Sequence, residues 1–332
     1  MSGVLQNCLS IQDLDSETIL HILNVAKSFF DPQTLKLKPQ ALLSNKVICL
    51  AFFEPSTRTR LTFELAAKHL GAQVIIYDEA FSSAVKGETA FDTFDNLVAM
   101  DIDAFVIRTK QENFPLELAQ HLGKRAVVVN AGDGCREHPT QALLDLLTIQ
   151  ETKGAFSKLK VAILGDIRHS RVAKSLGIAL HKCGVKELRW VGPQEFLPEH
   201  DAGSKAQHFT DITEGLNGVD VIVTLRIQKE RMAVIDYPDT DTYFREYGLT
   251  QERLALADPK AIVMHPGPMN RGIEIATNVA DGPGYPQNKC VTASAYGLPF
   301  SKYYCRCNIL HKQTVHPKSI IAIRIRLEFT TG

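Results

Sequence analysis

The stretch Val47–Arg60 reads VICLAFFEPSTRTR and joins an apolar run to a polar segment rich in hydroxyl groups and arginines. Residues 47–53 have the length and composition of a buried strand, and residues 61–70 have the spacing of an amphipathic helix. The polar segment therefore lies where a strand feeds a helix, beside the N–H groups and the positive end of the helix dipole. Such a position favours an anion, and arginine matches phosphate or carboxylate geometry. Capping a surface helix would need only one hydroxyl group, so we predict a phosphate site here.

The composition is that of a globular protein and gives no electrostatic reason to bind nucleic acid or an anionic membrane. Of the 332 residues, 45% are hydrophobic and 22% are charged, and 37 Lys and Arg residues balance 37 Asp and Glu residues. The length suffices for two domains, each with its own core. Because the net charge is zero, any anion site must be local.

No segment of the sequence predicts secretion or insertion into a membrane. The first ten residues lack a basic region followed by an apolar one, and no apolar run is long enough to cross a bilayer. The seven cysteines form an odd, irregularly spaced set, which favours thiols in a reducing compartment. We therefore expect a cytoplasmic protein.

Short apolar strands alternate with helical segments along the chain, which predicts an α/β protein with two doubly wound parallel sheets and helices on both faces. The predicted strands are 46–52, 73–77, 103–107, 125–130, 161–164, 188–191, 219–224 and 262–264. The predicted helices are 11–30, 58–70, 89–100, 115–122, 139–152 and 171–181. A break at 153–157 divides the pattern, so we predict domains at 1–150 and 151–283 and an atypical tail at 284–332.

Ligands of doubly wound sheets bind at the carboxyl ends of the strands, so polar residues that follow predicted strands are candidates for a site. In the first half these residues are Ser82, Lys86, Arg108, His138 and Gln141. His138 falls at a helix N-terminus, where it would stay neutral and could polarise a carbonyl group. The alternatives are a surface loop at 81–88, a solvated arginine and a structural histidine.

Three further segments follow predicted strands in the second half. The turn at 165–171 lacks the spacing of a dinucleotide fingerprint, and its Arg171 could hold a carboxylate. The segment 224–231 contains Arg226 and is either a second such site or a solvated charge run. The segment His265–Pro268 has two prolines around a glycine, which fix backbone carbonyls that can orient an amine.

Taken together, these segments resemble the catalytic chains of aspartate carbamoyltransferases. The resemblance covers about residues 5–283 and rests on STRTR at 56–60, SxxxKGE at 82–88, Arg108, HPTQ at 138–141, Arg171, RxQ at 226–228 and HPGP at 265–268. Ornithine carbamoyltransferases are similar in the first half but carry an S-M-G loop and an H-C-L-P motif, which this sequence lacks. Residues 226–231 are of the aspartate type.

The resemblance implies an enzyme that makes N-carbamoyl-L-aspartate and phosphate from carbamoyl phosphate and L-aspartate, an early step of pyrimidine biosynthesis. It implies neither a cofactor nor a metal.

The resemblance also implies the residues of the site. The phosphate would be bound by Ser56, Thr57, Arg58, Thr59 and Arg108. The carbamoyl oxygen would be bound by Thr59, Arg108 and His138, and the carbamoyl amide by Gln141 and the segment Pro266, Gly267, Pro268. Arg58, Thr59, Arg108 and His138 would be the catalytic set. Arg171 would bind one aspartate carboxylate, Arg226 and Gln228 the other, and Ser82 and Lys86 would come from an adjacent subunit of a homotrimer, with Lys86 also binding aspartate.

The resemblance ends near Pro283. Residues 284–332 have poor helical periodicity and contain three of the seven cysteines, which indicates a change of reading frame near residue 284. A metal cluster would use Cys290, Cys305, Cys307 and His311, but their spacing fits none of the usual zinc patterns.

Two alternative functions of the chain stay open: a non-catalytic relative that serves only as a binding or assembly chain, and a transcarbamoylase for another amine. The sequence does not decide whether regulatory or dihydroorotase-like chains bind.

Overall fold

The computed structural model describes residues 7–28, 41–77, 89–200, 203–229, 232, 239–282 and 290–291. They form two compact units, with the division between Leu143 and Leu144. Each unit contains one sheet in which every strand pairing is parallel. The predicted α/β class with two doubly wound parallel sheets is therefore confirmed.

The first unit is a four-stranded sheet with the order β2-β1-β3-β4. Its elements are α1 (Ser16–Ser28), β1 (Val47–Phe52), α2 (Thr57–His69), β2 (Gln73–Tyr77), α3 (Ala90–Ala99), β3 (Ala104–Thr109), α4 (Phe114–Leu122) and β4 (Val127–Asp133), and α5 (Pro139–Lys153) begins in it. From β1 the chain moves to β2 on one side and then to β3 on the other. The topological switch point, where ligands of such sheets bind, lies between β1 and β3.

The inner strands of this sheet are apolar because they are covered on both faces. Cys49, Leu50 and Ala51 of β1 are fully buried, as expected for a parallel sheet. The outer edge of β4 is covered by the amino-terminal segment, residues 7–9. The N–H of Cys8 donates to Val128 O at 3.0 Å, and the N–H of Asn130 donates to Cys8 O at 2.7 Å. This pairing shields an edge that would otherwise expose unpaired backbone groups.

The second unit is a six-stranded sheet with the order β10-β9-β8-β5-β6-β7. Its elements are β5 (Lys160–Leu164), α6 (Arg171–Lys182), β6 (Glu187–Val191), β7 (Gln207–Phe209), α7 (Ile212–Leu216), β8 (Val221–Thr224), α8 (Thr240–Tyr247), α9 (Gln251–Leu254), β9 (Ile262–Met264), α10 (Thr277–Asp281) and β10 (Cys290–Val291). The chain leaves β5 for β6 and β7 on one side and returns to β8 on the other. The second switch point therefore lies between β5 and β8.

All eight predicted strands are present, with small differences at their ends. The strand predicted at 125–130 begins at Val127 and continues to Asp133, into the glycine-rich segment. The short elements β7, α7, α8, α9, α10 and β10 were not predicted, because stretches of two to eight residues carry too little periodicity. Of the predicted tail, only β10 lies within the described residues, where it pairs with β9. None of the described helices is long and apolar enough to cross a membrane.

The buried thiol of Cys49 gives the stability of the protein a dependence on alkaline pH. Burial raises the pKa of Cys49 from 9.0 to about 12, so the unfolded chain releases this proton at a lower pH than the folded chain. Between pH 9 and pH 12 the folded state binds more protons, and stability therefore falls as pH rises, by at most about 1.4 kcal/mol per pH unit for one group. Urea unfolding of Cys49→Ala between pH 8 and 10.5 is expected to show a shallower decline than the wild type. Equal slopes for Cys49→Ala and the wild type would contradict the prediction.

Candidate active site

The first switch point brings Arg108 beside the segment that follows β1. Phe52 pairs with Arg108 in the sheet, and the Phe53 N–H donates to the Arg108 carbonyl at 2.8 Å. The Arg108 side chain forms an ion pair with Glu54, with 2.9 Å between Nε and Oε1. Its Nη1 lies 3.5 Å from Thr59 Oγ1 and 3.4 Å from the Ala131 carbonyl. Two of the predicted phosphate ligands, Thr59 and Arg108, are thus close together.

The polar segment occupies the N-terminus of α2, as predicted. Ser56 is the N-cap residue, but its side chain makes no capping hydrogen bond, and the first turn of α2 contains no acidic residue. The Ser56 hydroxyl is therefore not used to cap the helix, and no carboxylate in the first turn of α2 offsets the positive end of its dipole. Arg58 and Thr59 are half-buried, whereas Thr57 and Arg60 are exposed. This arrangement suits the binding of an anion.

His138 lies between β4 and α5, at the same edge of the sheet. It is 6% exposed and directly precedes Pro139, the first residue of α5. Its carbonyl accepts hydrogen bonds from the N–H groups of Gln141 and Ala142, and Thr140 Oγ1 lies 3.4 Å from its Nδ1. His138 and the half-buried Gln141 are therefore both held at the N-terminus of α5.

A buried carboxylate that the sequence analysis missed organises the loop before His138. Asp133 is fully buried, and its Oδ1 accepts from Asn130 Nδ2 at 3.0 Å and from the Glu137 N–H at 3.1 Å. Its Oδ2 accepts from the Asn113 N–H at 3.0 Å and from Arg136 Nη1 at 3.3 Å. One side chain thus fixes both ends of the loop that leads into α5.

A second buried carboxylate joins the same loop to the amino-terminal segment. Glu137 is 3% exposed. It accepts hydrogen bonds from the Ser10 hydroxyl and, at 3.1 Å, from the Ile11 N–H. The residue next to His138 is therefore held from a distant part of the chain, a contact that no local pattern in the sequence indicates.

The second switch point brings together the loops that carry Arg171 and Arg226. Leu164 and Thr224, the last residues of β5 and β8, are paired. Asp166 is fully buried, and its Oδ2 accepts from the Gln228 N–H at 2.9 Å. Its Oδ1 accepts from the His169 N–H and lies 2.8 Å from His169 Nδ1. Asp166, also missed from the sequence, therefore ties one predicted aspartate-binding loop to the other.

The two arginines at this switch point differ in exposure. Arg171 is the first residue of α6 and is 2% exposed, while Arg226 is half-buried, with its Nη1 3.3 Å from the Ile227 carbonyl. Gln228 is 9% exposed. A guanidinium group can bind one carboxylate group of a ligand through two parallel hydrogen bonds.

The segment His265–Pro268 leaves the next strand, β9, at the same edge of the second sheet. The Thr224 hydroxyl donates to the Met264 carbonyl at 3.2 Å, which holds the ends of β8 and β9 together. The Gly267–Pro268 peptide is cis, and Gly267 has a φ of 68°, a conformation that favours glycine. The three predicted ligand segments of the second unit therefore follow the adjacent strands β5, β8 and β9.

The predicted site residues thus fall into two groups within the described residues. The first unit holds Ser56, Thr57, Arg58, Thr59, Arg108, His138 and Gln141, and the second holds Arg171, Arg226, Gln228, Pro266, Gly267 and Pro268. Ser82 and Lys86 lie outside the described residues, as do Cys305, Cys307 and His311. In the part of the chain that the structure describes, no group of three or more His, Cys, Asp or Glu residues is arranged to hold a metal ion.

This two-unit fold matches solved structures of carbamoyltransferases, and the chain is an enzyme of that class. Residues 6–151 match the family model for the aspartate/ornithine carbamoyltransferase carbamoyl-P binding domain, and residues 157–302 match that for the Asp/Orn binding domain. Because these matches cover most of the sequence, the chain belongs to the aspartate/ornithine carbamoyltransferase family. The second match continues past Pro283, where the sequence analysis ended the resemblance.

Solved structures similar to the chain include enzymes for both amines. Aspartate transcarbamoylase from Trypanosoma cruzi, in complex with carbamoyl aspartate and phosphate, is 25% identical, with a TM-score of 0.77 over 97% of this chain and 96% of that one. Ornithine carbamoyltransferase from Pyrococcus furiosus is 29% identical, with a TM-score of 0.76 over 96% of each chain. The ornithine enzyme from Gloeobacter violaceus is 26% identical, with a TM-score of 0.73 over 97% and 98%. Overall similarity therefore establishes that the chain is a carbamoyltransferase. It does not identify the amine that accepts the carbamoyl group, which must be inferred from the residues of the site.

Proposed function

We propose that the protein is an aspartate carbamoyltransferase, which converts carbamoyl phosphate and L-aspartate into N-carbamoyl-L-aspartate and phosphate, an early step of pyrimidine biosynthesis. The observation that carries this proposal is the second switch point, where Arg171 and Arg226 lie on loops joined through Asp166 and Gln228. Aspartate brings two carboxylates, and two guanidinium groups supply one partner for each.

Ornithine fits this arrangement less well. It has one carboxylate, and its other end is an amine that is protonated at neutral pH, so a second arginine would repel it until the proton is lost. The sequence from Arg226 to Arg231 is of the aspartate type, and the H-C-L-P motif of ornithine enzymes is absent. The related Trypanosoma cruzi enzyme was solved with carbamoyl aspartate and phosphate, the two products of the reaction proposed here.

The first switch point is the proposed site for carbamoyl phosphate. Ser56, Thr57, Arg58 and the first-turn N–H groups of α2 would bind the phosphate group. Arg108 is held by Glu54 on its Nε side, and its Nη1 lies toward Thr59 and Ala131. From there the guanidinium group would contact both the phosphate and the carbamoyl oxygen.

The chemistry requires no nucleophile from the protein. The aspartate amine attacks the carbamoyl carbon, and negative charge develops on the carbamoyl oxygen, which Thr59, Arg108 and His138 would stabilise by donating hydrogen bonds. Gln141 and the carbonyls of Pro266 and Gly267 would hold the amide in place. Phosphate then leaves and can accept the proton that the amine loses. Catalysis consists of orienting the two substrates and stabilising this charge.

The proposed assembly is a homotrimer in which Ser82 and Lys86 reach the site of a neighbouring copy. The surface of the first unit supports association between copies. Ile75 and Ile76 of the edge strand β2 are 45% and 46% exposed, and Met100 is 70% exposed. Exposed apolar side chains on an edge strand are commonly covered by a partner, and β2 directly precedes the segment 78–88 that contains Ser82 and Lys86.

The amine specificity is tested by incubating the full chain with carbamoyl phosphate and either L-aspartate or L-ornithine and separating the products by chromatography. We expect carbamoyl aspartate. In Arg226→Gln, which loses a charged partner of one carboxylate, the KM for aspartate is expected to rise about 10- to 100-fold. Arg245→Gln, an exposed arginine of α8, serves as the matched control and should leave the KM unchanged.

Any other product pattern supports one of the two alternative functions. Formation of citrulline with little carbamoyl aspartate would assign the chain to ornithine. No product with either amine, from a protein that melts cooperatively, would favour a non-catalytic binding or assembly chain.

A further inference from the structure

His265 and Glu274 form a buried pair that the proposed mechanism does not use. Each is 1% exposed, and His265 Nε2 lies 3.0 Å from Glu274 Oε1. The other ring nitrogen, Nδ1, accepts a hydrogen bond from the Gly267 N–H at 2.8 Å. A nitrogen that accepts from an amide carries no proton, so the ring is neutral and its single N–H, on Nε2, donates to Glu274.

The hydrogen bond from Gly267 determines where the Pro266 carbonyl points. The Pro266 carbonyl and the Gly267 N–H belong to one planar trans peptide unit, so they point in opposite directions. Because the N–H is directed at His265 Nδ1, the carbonyl must be directed away from the His265 ring. The imidazole thus sets the orientation of a carbonyl that is proposed above to accept a hydrogen bond from the carbamoyl amide.

Glu274 makes this orientation rigid. The same oxygen, Oε1, also accepts from the Asn270 N–H at 2.5 Å, so one carboxylate oxygen holds both ends of the segment 265–270. The backbone of Glu274 is itself fixed, because its carbonyl accepts from the Leu249 N–H at 3.0 Å. Leu249 is fully buried in the core of the second unit. The segment is therefore attached to the core through this carboxylate.

We propose that His265 and Glu274 are positioning residues that hold the Pro266 carbonyl ready for the carbamoyl NH₂ group, and so favour carbamoyl phosphate over phosphate ligands that lack an amide. This inference rests on the proposed carbamoyl-phosphate site but not on the choice of amine, and it holds for aspartate and ornithine alike. Inorganic phosphate has no amide, so its binding should not depend on the pair.

The test compares two ligands on two variants of the full chain. The KM for carbamoyl phosphate and the Ki for inorganic phosphate are measured for the wild type, His265→Ala and His265→Asn, with a thermal melt of each. His265→Ala removes the acceptor of the Gly267 N–H. In His265→Asn, the side-chain oxygen can accept from the N–H two residues on, as in an Asx turn, so the carbonyl keeps its direction without the link to Glu274.

We expect His265→Ala to raise the KM for carbamoyl phosphate about tenfold while the Ki for phosphate stays within about twofold of wild type. His265→Asn should recover most of the loss in KM. Equal weakening of both ligands, an unchanged KM in His265→Ala, or no recovery in His265→Asn would overturn the inference.

If His265→Ala does not fold, a folded His265→Asn with an unchanged ratio of KM to Ki supports the inference, and a raised ratio overturns it. A wild-type chain that binds phosphate but forms no carbamoylated product would instead overturn the proposed function.

Discussion

Replacing Arg58 with Ala is expected to lower turnover by about 10²- to 10³-fold, because it removes a cationic donor from the proposed site of the leaving phosphate. Arg58 is half-buried in the first turn of α2. At the proposed site, it would face the phosphate oxygens, on which negative charge increases as the bond between oxygen and the carbamoyl carbon breaks. The fold should tolerate the change, since alanine is the best helix former. Steady-state kinetics and a thermal melt of the purified variant measure the two effects separately.

Arg60→Ala is the matched control for this experiment. Arg60 belongs to the same turn of the same helix but is exposed, and no role in the site is proposed for it. The Arg60→Ala variant removes the same charge two residues away from Arg58, so a general electrostatic effect of losing one cation would appear in both variants. Near-normal turnover in Arg58→Ala, or equal losses in the two variants, would refute the assignment of the phosphate site.

Replacing Asp133 with Ala is expected to lower the free energy of unfolding by about 3 kcal/mol or more. The carboxylate is fully buried and accepts from Asn130, Glu137, Asn113 and Arg136. Its loss leaves buried donors without an acceptor. Activity should fall with stability, even well below the melting temperature, since the loop that Asp133 fixes leads directly to His138. Urea unfolding and kinetics at low temperature measure the two quantities.

Two further variants separate the possible causes. Asp133→Asn keeps one acceptor oxygen and should lose less stability than Asp133→Ala. Asp13→Ala changes an exposed aspartate in the same unit and should be within about 0.5 kcal/mol of the wild type. An Asp133→Ala protein that unfolds at the same urea concentration as Asp13→Ala would show that the buried network is unimportant.

The parts of the fold that could be predicted are those in which the reason for the structure is local. The run from Val47 to Phe52 is apolar throughout because a central parallel strand is covered on both faces. Arg226 follows β8, as expected from the rule that ligands bind after strands, whereas Arg108, expected after a strand ending at residue 107, lies inside β3, one residue before its end. Neither inference required knowledge of which distant segments meet.

The parts that could not be predicted depend on distant contacts. Glu137 is bonded to Ser10, 127 residues away, and Asp166 to Gln228, 62 residues away. In the sequence each of these carboxylates is an ordinary polar residue in a loop, and only the fold shows which backbone donors it satisfies. His265 was quoted as part of a motif, but its effect on the Pro266 carbonyl depends on Glu274.

The pairing of the amino-terminal segment with β4 has a consequence for the order of folding. Residues 7–9 leave the ribosome more than a hundred residues before their partners Val128 and Asn130. The segment must therefore stay unpaired through most of the synthesis of the first unit, and closing so long a loop is entropically costly. Residues 7–9 can thus take their place in the sheet only after β4, the last strand of the first unit, has been made.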